Sequence, residues 1–181
     1  MKRLPAAERR AVPWKNGGGT TRVVAVHPKT AGLEDFDWRV SIAEIEKPGP
    51  FSRFEGIDRA LLVLSGRLRL DFEDRSIEIG PQSAPLLFAG EERCGGAPLG
   101  GRSMDLNVMT RRGRASARLE RVASGPIAAQ QGPALFLATA PSTLQGPREA
   151  LALDRHDAAM LEEPSNPLLN GEGILIAFWK S

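Results

Sequence analysis

The chain has 181 residues, enough for a sizeable core in one domain or two small halves. Its 24 Lys plus Arg against 22 Asp plus Glu leave a net charge of +2, too balanced to imply nucleic acid or an anionic membrane as a partner from net charge alone. One cysteine, Cys94, excludes an internal disulfide and suits a reducing compartment, and no apolar run reaches membrane-spanning length. The charged N-terminus has no apolar segment behind it, so the expected location is the cytoplasm.

The 19 glycines and 14 prolines point to short strands joined by tight turns. Along the chain, Pro13-Trp14-Lys15-Asn16-Gly17-Gly18-Gly19-Thr20-Thr21-Arg22 comes first. Three consecutive glycines lose much backbone freedom on folding, so they imply positive φ angles or close backbone approach. Their N–H groups could form an anion-binding nest, with Lys15 and Arg22 adding charge and Asn16, Thr20 and Thr21 adding hydrogen bonds. They could equally be a glycine-rich turn into a strand near Thr20; no P-loop pattern frames them.

Thr20 to Val26 reads as a strand, stopped at His27-Pro28. Trp38 to Glu46 is a second strand whose alternation places Trp38, Val40 and Ile42 on one face and Arg39, Ser41 and Ala43 on the other. The second face could line a barrel or face solvent. Ala60 to Leu64 is apolar, Ser65-Gly66 is a hairpin signal, and Arg67 to Phe72 alternates with Leu68, Leu70 and Phe72 inward. Short strands follow at Ser76 to Ile79 and Leu86 to Phe88, then a Gly-rich loop from Glu91 to Gly101. Met104 to Met109 alternates again and projects Asp105 and Asn107 to one side. The arginines from Arg111 to Arg121 lack interleaved aromatics and read as a solvated connector rather than a phosphate patch. Later strands are expected at Ala134 to Ala138, Leu151 to Leu153 and Ile174 to Trp179, with a turn or short helical piece from Asp157 to Glu163. Strands about ten residues apart indicate an all-β sandwich or barrel.

The available chemistry is narrow. Two histidines, His27 and His156, cannot build a three-His metal site, so no metal and no cofactor is expected. No GxSxG elbow supports a hydrolase triad through His156, and the chain has no tyrosine. Cys94 has a neighbouring Arg93 that could lower its pKa, but it reads more simply as an incidental thiol. What remains is a set of guanidinium, amide, hydroxyl and carboxylate groups, which suits a small carboxylate. Trp14, Trp38, Phe51 and Phe54 are candidates for the apolar wall of such a pocket.

Four ordered motifs make the chain resemble the HutD/Ves family: the Pro13–Arg22 stretch; Phe36-Asp37-Trp38-Arg39-Val40-Ser41-Ile42-Ala43; Gly49-Pro50-Phe51-Ser52-Arg53-Phe54 with Gly56-Ile57-Asp58-Arg59; and Asp105-Leu106-Asn107-Val108-Met109-Thr110-Arg111-Arg112. The resemblance implies a cupin-type β-barrel with two cupin-like halves, and a regulatory or sensing role in histidine utilisation without a settled activity. The implied ligands resemble formylglutamate or urocanate. The family commonly carries Glu after Thr-Thr-Arg, where this chain has Val23, so a carboxylate there is not essential. Laid on the general cupin pattern, the metal-binding Glu falls on Arg59 and the His pair near Ser52 and Phe54. An Arg in place of a metal-binding Glu inverts the charge requirement and favours an anion directly.

These readings converge on a first cupin-like barrel over residues 1–118 carrying the pocket, and a second, smaller half over residues 119–181. The expected ligand-binding residues are Trp14, Lys15, Asn16, Thr20, Trp38, Arg39, Ser41, Ser52, Phe54, Arg59, Asp105 and Asn107. The expected function is metal-free binding of a small carboxylate or formyl-type ligand. The alternative is a metal-independent hydrolase or isomerase using Lys15 or Asp105 as acid or base. The expected partner is thus a small anionic ligand, with no nucleic acid and no membrane; a homodimer is left open.

Overall fold

The computed structural model describes residues 1–128, 130, 132–161 and 166–180. In chain order the strands are β1 (Lys2–Leu4), β2 (Ala11–Pro13), β3 (Gly19–His27), β4 (Trp38–Ile45), β5 (Gly49–Pro50), β6 (Ile57–Ser65), β7 (Leu68–Phe72), β8 (Ser76–Ile79), β9 (Leu86–Ala89), β10 (Cys94–Pro98), β11 (Ser103–Arg111), β12 (Ser116–Pro126), β13 (Ala134–Ala138), β14 (Ser142–Gln145), β15 (Ala150–Leu153), β16 (Ala158–Leu161) and β17 (Leu168–Trp179). Among the described residues the one helical element is a short 3-10 turn, Ala6–Glu8, and no helix is long and apolar enough to cross a membrane.

The chain divides into two compact units. Arg10–Arg114 forms one, and Met1–Arg9 groups with the residues from Ala115 onward in the other. This corrects the expected boundary at residue 118 and the placement of the N-terminus in the first half. The cause is strand pairing: β1 lies antiparallel to β16, with Lys2 opposite Met160 and Leu4 opposite Ala158. The Asp157 carboxylate fastens it, accepting from Arg3 Nε at 3.0 Å and from the Ala6 backbone N at 2.7 Å.

In the 10–114 unit, one sheet runs β2-β3-β4-β11-β6-β9 and a second runs β5-β10-β7-β8. Alternation along each strand turns one set of side chains inward. Ile45, Leu61, Val63 and Phe88 from the first sheet meet Leu68, Leu70, Ile79 and Cys94 from the second in a shared core. Phe36, Ile57 and Met109 form a smaller cluster against which Phe54 packs. In the other unit, the sheet order is β1-β16-β13-β17-β14-β15, with β12 also paired to β17. Its core is wholly apolar and includes Phe136, Leu144, Leu153, Leu161 and Leu169.

Three expectations about local structure are revised. The Glu91 to Gly101 loop contains β10, whose Cys-Gly-Gly-Ala-Pro sequence has little intrinsic strand preference and is held by pairing to β5 and β7. The arginine-rich connector is largely β12, paired along β17 from Ser116–Trp179 to Pro126–Leu168. The segment expected as a turn or helical piece is the strand β16 over 158–161, while its end at 162–163 lies outside the described residues.

Candidate functional site

The triple glycine is a hairpin turn between β2 and β3. Trp14 N donates to Gly19 O at 2.9 Å and Gly17 N to Trp14 O at 3.0 Å, while Gly18 N donates to Asn16 Oδ1 at 3.0 Å. The N–H groups of Gly17 and Gly18 are therefore used within the turn, not presented as a nest. Gly17 has φ +65°, which favours glycine, and a Cβ on Gly19 would collide with the Glu44 carbonyl. Asn16 and Lys15 are exposed on this turn, and Asn16 shapes it through its side-chain oxygen.

The register of the large sheet sorts the remaining expected residues. Asp105 lies opposite Ala43 on β4 and Val63 on β6, Asn107 opposite Ser41 and Leu61, and Met109 opposite Arg39 and Arg59. Directly opposed residues share a face, so Arg39, Ser41, Arg59, Asp105 and Asn107 all project to the side that carries Leu61 and Val63 into the core. Thr20 and Trp38 project to the other side. Thr20 lies opposite Glu44, and Trp38 stacks on His27 at 5.6 Å between ring centroids. The expectation that Trp38 limits the pocket is corrected by strand parity: neighbours of Arg39 on one strand must face away from it. Thr21, opposite Ala43, is the threonine on the inner face. Its Oγ1 accepts from Trp14 Nε1 at 2.8 Å, which holds the Trp14 ring against the core of this unit.

Arg59 is the centre of this arrangement and is 6% exposed. Its Cζ lies 5.2 Å from the Phe51 ring centroid, 6.0 Å from Phe54 and 4.9 Å from Phe88, which is its register partner on β9. Rings at these distances stabilise a cation through their quadrupoles and restrict where the guanidinium can go. Its hydrogen bonds are long: Nε donates to Asn107 Oδ1 and Nη1 to the Ser52 carbonyl, both at 3.4 Å. Ser52 thus contributes its backbone, and its side chain is exposed. Phe88 is the member of this cage that the sequence reading missed; its position opposite Arg59 follows from pairing between β6 and β9, which no local pattern announces.

The electrostatics are those of an incompletely compensated buried charge. Burial lowers the Arg59 pKa to about 10, with Asp105 opposing that change. Burial pushes Asp105 up to about 7, against the pull of Arg59. Burial also lowers Arg39, whose Nη1 donates to Ser41 Oγ at 3.4 Å. Two guanidinium groups therefore share this face with one carboxyl whose neutral form burial favours. Burial pushes the Cys94 thiol up to about 11, which favours its protonated form. Val23 lies opposite Ser41 and is 36% exposed, so the row reaches solvent on the β3 side. A separate open cleft of about 350 Å³ includes Phe51, Arg53, Phe72, Arg93 and Cys94 in its lining.

This donor set does not suit a cupin metal ion. Arg59 and Asn107 are on the inner face, and among the described residues no three His, Cys, Asp or Glu side chains gather as a metal site.

The HutD family model matches residues 6–177. The chain belongs to the HutD family. Its similar relatives include an uncharacterised 21.2 kDa protein from the hutC 3′ region of Pseudomonas putida, 38% identical over 129 residues, or 66% of this chain and 63% of that protein. Protein Ves of Citrobacter koseri is 38% identical over 108 residues, covering 59% of this chain and 56% of its own. The chain thus spans about 60% of the length of these curated relatives. The structure of HutD from Pseudomonas fluorescens SBW25 superposes with a TM-score of 0.83 at 28% identity, covering 99% of this chain and 98% of that one. A cupin 2 conserved barrel domain protein from Leptotrichia buccalis gives a TM-score of 0.60 at 9% identity, over 98% of this chain and 100% of that one, a likeness of fold. The HutD chain is therefore all-β and cupin-like, as expected.

Proposed function

We propose that this HutD-family chain is a metal-free receptor for a small carboxylate, linked to histidine utilisation, with its ligand site inside the 10–114 unit. The observation that carries this reading is Arg59: a buried guanidinium caged by three rings, with no hydrogen bond shorter than 3.4 Å among those its side chain donates. A carboxylate would accept two short, charge-assisted bonds there and complete the desolvated cation. Arg39 adds a second positive charge and Asn107 an amide on the same face, and the Trp14 and Phe51 rings, in contact with each other, supply apolar surface. The Pseudomonas putida relative is named from the hutC region, which supports the link to histidine utilisation. The proposed setting is the cytoplasm and the proposed consequence of binding is regulatory.

Titration calorimetry with N-formyl-L-glutamate and with urocanate tests this. Binding to the wild type and its loss in Arg59→Ala, with a retained cooperative melt, is the expected result. Unchanged affinity in Arg59→Ala would remove Arg59 from the site.

One observation favours a second reading. A carboxyl held near pH 7 at Asp105 has the proton affinity of a general acid or base. Product formation from those two compounds, abolished in Asp105→Asn, would establish a metal-independent hydrolase or isomerase instead.

A further inference from the structure

Asp105 is 2% exposed, and its Oδ2 has no hydrogen-bond partner. Such an atom is costly to bury, because the protein supplies nothing in place of the water it lost. Its register neighbours explain the lack: Ala43 and Val63 flank it on the two adjacent strands and offer no donor. Ser103, two residues earlier on the same face of β11, is likewise buried with its Oγ unpartnered. Two residues later stands Asn107, which accepts from Arg59. Along one strand the inner face thus carries two unsatisfied polar groups, then the amide that meets the guanidinium. One strand step of two residues is roughly 7 Å.

We infer that the ligand of this site carries, besides its carboxylate, a hydrogen-bond donor about four or five atoms away, a hydroxyl or an N–H that meets the unpartnered oxygen of Asp105. The inference rests on the carboxylate reading of Arg59 and narrows it to carboxylates that carry an O–H or N–H at that distance. Plain monocarboxylates satisfy Arg59 and leave Asp105 unpartnered. Dicarboxylates that lack such a donor place a second anion against Asp105. A ligand with the donor repairs both ends at once. Asp105 is then a specificity-determining residue and Arg59 the affinity anchor.

The test uses two probes of equal length, 4-hydroxybutyrate and pentanoate, which differ by an O–H in place of a CH3. Affinities are read by calorimetry or by ligand-observed NMR on the wild-type chain, Arg59→Ala and Asp105→Ala. The expected result is a preference of about tenfold or more for 4-hydroxybutyrate in the wild type, the usual worth of a hydrogen bond to a charged group. It should fall below about threefold in Asp105→Ala, because only that bond distinguishes the probes. Should Asp105→Ala not fold, the near-isosteric Asp105→Asn is expected to shrink the preference by several-fold, since a neutral acceptor replaces a charged one. Equal affinities in the wild type, or tighter pentanoate, overturn the inference while leaving Arg59 as a carboxylate site. A preference that survives in both Asp105 variants overturns the assignment to Asp105. If neither probe binds the wild type, the Arg59 reading fails and takes this one with it.

Discussion

The two units bury an aspartate each, and they treat it in opposite ways. Asp157, in the unit built from Met1–Arg9 and the C-terminal strands, is 3% exposed and accepts from Arg3, from Ala6 N and from Asp154 N. Burial raises its pKa, but these bonds outweigh burial, led by that from Ala6 N, and hold it below the usual carboxylate range. Asp105, in the other unit, has comparable burial and an unpartnered oxygen, and its pKa moves up. The cores around them differ likewise. In one, the buried polar side chains Asp157 and Ser142 are hydrogen-bonded, while in the other the inner face carries Arg39, Arg59 and Asn107. Buried polar atoms without a partner occur in both, at Arg9 Nε in the first unit and at Ser103 Oγ and Asp105 Oδ2 in the second. What sets the second apart is that its two lie on the strand that also carries Asn107, the amide that meets the buried Arg59.

The sharpest contrast should come from Phe136, fully buried in the apolar core. Phe136→Ala is expected to lower stability by about 3–5 kcal/mol, measured by denaturant unfolding, through lost burial and a residual cavity. Arg59→Ala, by contrast, should act on binding far more than on the melt.

The second contrast is in pH dependence. Asp105 has its folded pKa raised above its unfolded value, so its neutral form favours the native state. That stability is complete below about pH 3.8 and is lost as pH rises through about 7. The loss amounts to at most roughly 4 kcal/mol, and Asp105→Asn should flatten the decline between those limits in a pH series of urea melts. Ligand-free wild type that gains stability over that interval would contradict the assignment. Asp157 runs the other way: its stabilisation is present above its unfolded pKa and lost as pH falls through its lowered native value.

A smaller effect is expected at Asp157 itself. Asp157→Asn should cost about 1–3 kcal/mol by leaving buried donors poorly met. Amide exchange at Lys2–Leu4 should accelerate, while binding at Arg59 stays unchanged. The smallest effect belongs to Ser52. Because Arg59 bonds its carbonyl and its side chain is exposed, Ser52→Ala should shift stability by less than about 0.5 kcal/mol and leave ligand affinity within about twofold.

Much of the barrel was legible from alternation. The strands at Trp38–Ile45, Leu68–Phe72, Ser76–Ile79 and Ala134–Ala138 follow from apolar periodicity and the turn residues between them. β10 and β12 were not legible, because glycines in one and charges in the other hide strands that exist through their partners. At the site, parity on β4 already separated Arg39 and Ser41 from Trp38, and including Trp38 went against it. The exchange of Thr20 for Thr21 depends on the register of β3 against β4, and the place of Phe88 on that of β9 against β6.

By itself the sequence determined the all-β class, the family, the inward or outward sense of residues along single strands, and a supply of guanidinium and amide groups without a metal-ligand set. These are local or compositional properties, fixed by a side-chain period of two and by which residue types are present. Tertiary structure alone decided that Met1–Arg9 joins the C-terminal unit, that Phe88 of β9 joins Phe51 and Phe54 around Arg59, and that one oxygen of Asp105 is left without a partner. Each of those depends on pairing between strands distant in sequence, and burial together with hydrogen-bond satisfaction has no value until such neighbours are in place.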